Sequence, residues 1–336
     1  MNKNTRIVVA LGLGAVLIGG GILYFYFAGR PECVAWEQEN LPGIEAGKQY
    51  VYVAMGDCDS VLAIDTSTHD VAAYTKLPGR FPHGLFYDEE KQRLYVANEQ
   101  SDDMDVVGLP EFMPISSVEV GEFPPDVTAT IDKILVANFK GDSVTVVDRT
   151  TLKVTQNVGS ESATHFARSL DGQFVYVSNW DEDTVSVIDV SSVKIVNVIA
   201  VGKRPNHLTF SRDGRFVYVT NYKGDSVSVI DHRSKKVIAG ISIGKRPMTP
   251  IATNDALYVA NIESGTISVI DIADNKVVDQ IVTNGNPQHM AIAGKWLYVT
   301  NPALQQVQVI DLIQRKVVKA IFTGPSPQQI APRYVR

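Results

Sequence analysis

Cysteine is almost missing from this chain, with only Cys33 and Cys58 among 336 residues. That leaves no CxxC redox pair and no CxxCH haem-attachment motif. There is likewise no glycine-rich phosphate loop, GxSxG elbow, HExxH helix or EF-hand loop, so the common nucleotide, serine-hydrolase and metalloenzyme signatures are all lacking. Excess positive charge is absent too. A formal charge of −6 argues against wholesale nucleic-acid binding, although it leaves room for a local basic patch.

What the chain does have is repetition. Seven times, at intervals of 40 to 43 residues, a "YVTN" strand is followed by a short polar loop and a "SVSVID" strand. The copies begin at Tyr52, Tyr95, Leu135, Tyr176, Tyr218, Tyr258 and Tyr298. A fixed period of this length, filled with alternating β-branched residues, predicts an all-β, seven-bladed β-propeller of four-stranded blades. In the fifth repeat the four strands are expected at 208–211, 216–220, 226–231 and 236–243, with Asp213-Gly214 turning the first hairpin.

The first repeat lacks an inner strand. The missing strand is found at the other end, where Gln328-Gln329-Ile330-Ala331-Pro332 matches the inner-strand phrase Asn206-His207-Leu208-Thr209-Phe210. The carboxyl terminus is therefore expected to complete blade one, which closes the ring and removes an open strand edge.

The amino terminus reads differently. Residues 7–28 carry no charge, and 22 apolar or glycine residues at about 1.5 Å each span a hydrocarbon core of roughly 30 Å. The expected division is a cytoplasmic tail at 1–6, a transmembrane signal anchor at 7–28, a linker at 29–47 and the propeller at 48–336. Lys3 and Arg6 would hold the tail inside, and Tyr24 to Phe27 form an interfacial aromatic belt. A cleaved secretory peptide is the alternative, and both readings place the propeller outside a bacterial inner membrane, in the periplasm or at the cell exterior. In an oxidising compartment Cys33 and Cys58 can pair, or they can remain separate thiols.

With its "YVTN…SVSVID…V.VG..P" phrases, the segment from about 48 to 336 resembles the YVTN family of seven-bladed propellers, relatives of haem d1 propellers. The resemblance implies the fold and says little of function. The second repeat departs from it: at Met104-Asp105-Val106-Val107-Gly108 the strand-ending aspartate is lost, so blade two is expected to be irregular.

Aligned repeats place seven residues at the channel mouth: Gly84, Asp126, His165, His207, Thr249, His289 and Gln329, with His83 one residue before the first. The family commonly has a small residue there. Neutral imidazoles can bind a metal or a tetrapyrrole iron, or they can simply cap the channel through hydrogen bonds. A tetrapyrrole would need His165, His207 or His289 as iron ligand, with Asp126 beside them and Arg204 and Arg246 meeting its carboxylates.

The same face carries Lys140, Lys203, Lys223 and Lys245 near Trp180 and Tyr222, a rim suited to an anionic ligand unless its neighbouring acids balance it. The aspartates ending the third strands (Asp148, Asp189, Asp231, Asp271, Asp311) read as repeated turn caps rather than metal ligands.

The resulting expectation is a membrane-anchored, exported propeller with a binding or scaffold role favoured over catalysis, whose partner is a protein or small anionic ligand on the channel-mouth face. An enzyme role would be that of an oxidoreductase-associated haem-type cofactor protein. A tetrapyrrole protein for electron transfer or cofactor assembly is the first alternative. A single-stranded nucleic-acid binder is the second.

Overall fold

The chain is described by a computed structural model at residue 33 and residues 41–333. Seven four-stranded antiparallel sheets form the blades. Middle strands such as Phe216–Asn221 and Ser226–Asp231 are buried on both sides, because each sheet packs face to face with its neighbours. Between blades five and six, Tyr218, Val227 and Val229 meet Ala252, Leu257 and Val259 in one apolar cluster. Each fully buried valine or leucine there contributes roughly 1.5–3 kcal/mol. The outer strands, such as Lys236–Ser242, face solvent along most of their length.

The closure expected from the sequence is present. Pro327–Pro332 pairs antiparallel with Tyr50–Met55, giving the first sheet its fourth strand. Blade two corrects an expectation: its four strands pair in order like the others, with Gly108 opposite both Arg93 and Met113. Its lost aspartate costs the turn a cap and leaves the ladder intact.

The fold class needs one correction as well. The transmembrane helix expected at 7–28 lies outside the described residues. Among those described, the only helices are single 3-10 turns at Gly56–Cys58 and Pro302–Leu304, and no helix is long and apolar enough to cross a membrane. The fold established is thus all-β, without the helical element. Cys33 and Cys58 form a disulfide that ties the segment before the ring to blade one.

The "YVTN" asparagine has a repeated structural task. Asn221 donates to Ser226 and Ser228 in the next strand and accepts from the Gly202 N–H of the loop that enters the blade. A Cβ on Gly202 would lie 2.4 Å from the Asn221 amide, so only glycine fits. Asn138 repeats the arrangement with Gly121, Ser143 and Thr145. The third-strand aspartates cap their turns as expected: Asp148 accepts from Thr150 and Thr151 N–H, and Asp231 from Ser234 N–H.

Candidate functional site

Strand register puts the seven predicted mouth residues at one level. Each immediately precedes the residue that pairs with the buried valine of its neighbouring "YV" strand: Leu85 with Val96, Val127 with Val136, Phe166 with Val177, Leu208 with Val219, Pro250 with Val259, Met290 with Val299, and Ile330 with Val53. Gly84, Asp126, His165, His207, Thr249, His289 and Gln329 therefore ring the axis, one from each blade.

The histidines converge. His165 and His207 stack with ring centroids 3.5 Å apart, and His207 lies 5.0 Å from His289. His83 completes the circuit, 5.2 Å from His289 and 6.0 Å from His165. Repeat alignment alone leaves His83 off the ring. The ring position itself, Gly84, offers no side chain, and a Cβ there would sit 2.5 Å from the Asp126 Cα. The register shift between Pro82 and Leu85 is shared by blades four, five and six.

His165, His207 and His289 are at most 5% exposed, so they plug the channel rather than line an open mouth. Burial holds all three well below the ordinary histidine pKa, with neighbouring imidazoles adding to the effect, so the rings are neutral. Both ring nitrogens of His165 and His207, and Nε2 of His289, have no hydrogen-bond partner among the described residues. His289 Nδ1 is 3.5 Å from the Thr249 hydroxyl, and His83 Nδ1 is 2.8 Å from the Pro125 carbonyl.

On the acidic side of the ring, Asp126 accepts from the Val127 and Phe166 N–H groups, and Gln329 reaches it across the gap left by Gly84. Burial pushes the Asp126 carboxyl up to about 6. Gln329 also accepts from the Leu85 N–H. No group of three or more His, Cys, Asp or Glu side chains among the described residues is arranged to hold a metal ion.

The rim brings together the cations and aromatics named from sequence, as a ladder. Arg204 lies 5.6 Å from the Trp180 ring centre, Trp180 lies 5.0 Å from Tyr222, and Arg246 lies 5.8 Å from Tyr222 on blade five. Lys223 sits over Tyr222 and Lys140 over Phe123. Three of the cations are paired with acids: Lys203 with Asp183, Arg204 with Asp181 at 3.6 Å, and Arg246 with Glu263 at 3.1 Å. Lys245 is exposed, its backbone N–H held by Ser264. The rim is thus mixed: half of its six named cations are held by acids.

Sequence reasoning missed why acids recur in those loops. Asp59, Asp102, Asp142, Asp183 and Asp225 accept the N–H of Phe81, Phe123, Ser162, Arg204 and Arg246, which all have left-handed backbones. A second missed task belongs to His69 and His232, whose Nδ1 atoms lie 2.6 and 2.9 Å from Tyr298 and Tyr176 on neighbouring blades.

A wide cavity of about 880 Å³ opens at the other end of the axis. It is lined by Asp126 and Gln329 and by the turns after the inner strands, and none of the four clustered histidines lines it.

Fold and axial site together define a closed seven-bladed propeller with a histidine-plugged channel. The chain belongs to the YNCE-like beta-propeller family, whose sequence profile matches residues 68–257, more than half of the chain. Comparison with curated proteins returned no significant match.

Solved structures that share the fold include the following three. A functionally unknown protein from Desulfotomaculum acetoxidans DSM 771 is 14% identical, with TM-score 0.75 over 85% of this chain and 99% of that one. The dihydro-heme d1 dehydrogenase NirN in complex with DHE is 16% identical, with TM-score 0.66 over 88% and 72%. A candidate 6-phosphogluconolactonase from Bacteroides fragilis NCTC 9343 is 14% identical, with TM-score 0.73 over 86% and 99%. At these identities the likeness speaks to fold alone.

Proposed function

We propose that this propeller binds a small polar ligand at the histidine layer on its axis, and serves as a binding or scaffold protein rather than a catalyst. The observation that carries the reading is the set of five buried imidazole nitrogens without a partner among the described residues. A buried polar atom left unpaired costs roughly 1–3 kcal/mol, so several held together mark a place prepared for a guest with its own donors and acceptors. Neutral imidazoles supply both. Asp126, the one acid among the seven ring positions, already accepts from Val127, Phe166 and Gln329 on blades three, four and one, and the acid that approaches the cluster, Glu99, lies 3.8 Å from Nδ1 of His83.

A tetrapyrrole fits less well. Its iron would need an imidazole with an open approach, and its carboxylates would need free arginines. The three ring-level histidines are buried, and Arg204 and Arg246 are already paired with Asp181 and Glu263. A single-stranded nucleic acid has only partial support, since its backbone needs uncompensated cations and Lys203, Arg204 and Arg246 are already held by acids.

The test is thermal unfolding of the full chain and of a His165→Leu/His207→Leu/His289→Leu variant. The panel holds small carboxylates, Zn²⁺, Ni²⁺ and a haem-type tetrapyrrole. A ligand that raises Tm of the wild type alone supports the reading, and a panel that acts equally on both proteins refutes it.

A further inference from the structure

The cavity at the opposite end of the axis is a second, separate place for chemistry. Its volume of about 880 Å³ falls within the range of small-molecule sites. Phe86, Tyr87 and Phe166 give it an aromatic wall, and Thr128, Thr209 and Gln329 give it polar ones.

Charge decides what it suits. Asp88, Glu89, Glu90 and Asp171 line it against only Arg149 and Arg168. Arg149 is committed: its guanidinium is bound by Asp88, by Glu90 at 2.9 Å and by the Ile131 carbonyl at 2.8 Å. Arg168 donates to the Ala129 carbonyl and lies 6.0 Å from the Phe86 ring centre. The lip therefore keeps a net negative field.

At the floor is Asp126, 4% exposed and lining the cavity. A carboxylate offers about four acceptor positions. Three donors already use them: the Val127 N–H, the Phe166 N–H and the Gln329 side chain. One position remains for a donor arriving through the cavity.

We infer that this funnel binds a small organic cation, an amine on a flat or apolar body, with the ammonium on Asp126 and the body against the aromatic wall. The acidic lip raises the local concentration of such a ligand, and aromatic faces attract its charge. An anion of the same shape meets the wrong field.

The experiment is calorimetric titration of the full chain with benzylamine, benzyl alcohol and benzoate, which share one ring and differ in charge. Benzylamine is expected to bind at least about tenfold tighter than benzyl alcohol, and benzoate more weakly than either. Asp126→Asn is expected to abolish the preference for the amine. Should that variant fail to fold, Arg168→Gln tests the same field from the lip, where loss of a cation is expected to tighten benzylamine binding severalfold. Benzoate binding as well as benzylamine, or an Arg168→Gln variant with unchanged or weaker amine affinity, overturns the inference. Because the histidines do not line this cavity, the His165→Leu/His207→Leu/His289→Leu variant is expected to bind benzylamine like the wild type.

Discussion

His165 and His207, contributed by adjacent blades, stack face to face with ring centroids 3.5 Å apart and planes 27° from parallel. Two imidazoles so close cannot both carry charge, and burial already disfavours the charged form of either one. The channel plug is thereby tied to a neutral protonation state, and its stability to pH.

The sign follows from the direction of the shifts. His165, His207 and His289 have folded pKa values well below 6.5, so the unfolded chain binds more protons in acid. Their contribution is full above about pH 6.5 and falls below it, by up to about 1.4 kcal/mol per histidine per pH unit. Asp126 acts oppositely. Raised from 3.8 to about 6, it favours the fold at low pH and loses that contribution as pH climbs from about 4 to about 6. Urea unfolding between pH 7 and 5 is expected to show the wild type losing about 5–6 kcal/mol more than the triple leucine variant. Parallel pH profiles would refute a neutral, buried histidine layer.

Asn221→Ala removes two donations to Ser226 and Ser228 and the acceptor for Gly202 N–H. The expected cost is about 2–3 kcal/mol by chemical denaturation, since a buried N–H and two hydroxyls lose a partner. Ser226→Ala, which leaves the Gly202 contact in place, is expected to cost under about 1.5 kcal/mol.

Deleting residues 327–336 removes the strand that completes blade one, including buried Ile330 and Ala331. It also exposes the edge of Tyr50–Met55, whose chain is otherwise paired on both sides. A loss of at least about 3 kcal/mol and concentration-dependent association are expected, from lost burial and an open edge. Light scattering and thermal melts check both.

The Cys33–Cys58 bridge closes a loop across a separation of 25 residues. Loop-closure entropy puts its contribution at about 3 kcal/mol, so reduction or a Cys33→Ser/Cys58→Ser pair is expected to lower Tm measurably. An unchanged Tm would mean the segment around Cys33 adds nothing to blade one.

The blades were legible because each "YVTN…SVSVID" phrase codes a buried strand pair locally. The terminal clasp was legible because residues 327–332 repeat the inner-strand phrase. The shared level of Asp126, His165, His207 and His289 followed from the same alignment. Other features depend on contacts between repeats. His83 enters the plug one residue before its blade's ring position, where Gly84 carries no side chain. Lys203 meets Asp183, and Arg246 meets Glu263, across loops some 20 residues apart, so which rim cations are compensated is settled only in space. The funnel is a packing outcome at the end of the axis opposite to the one the loop motifs indicated.

The most direct measurement is the two-bond ¹H–¹⁵N spectrum of the histidine rings in the full chain, recorded before and after adding the panel ligand that raises Tm most. Binding at the plug predicts neutral rings for His165, His207 and His289 at pH 6, with their nitrogen signals moving on addition. Charged rings at that pH, or signals that stay in place while the ligand binds, would contradict it.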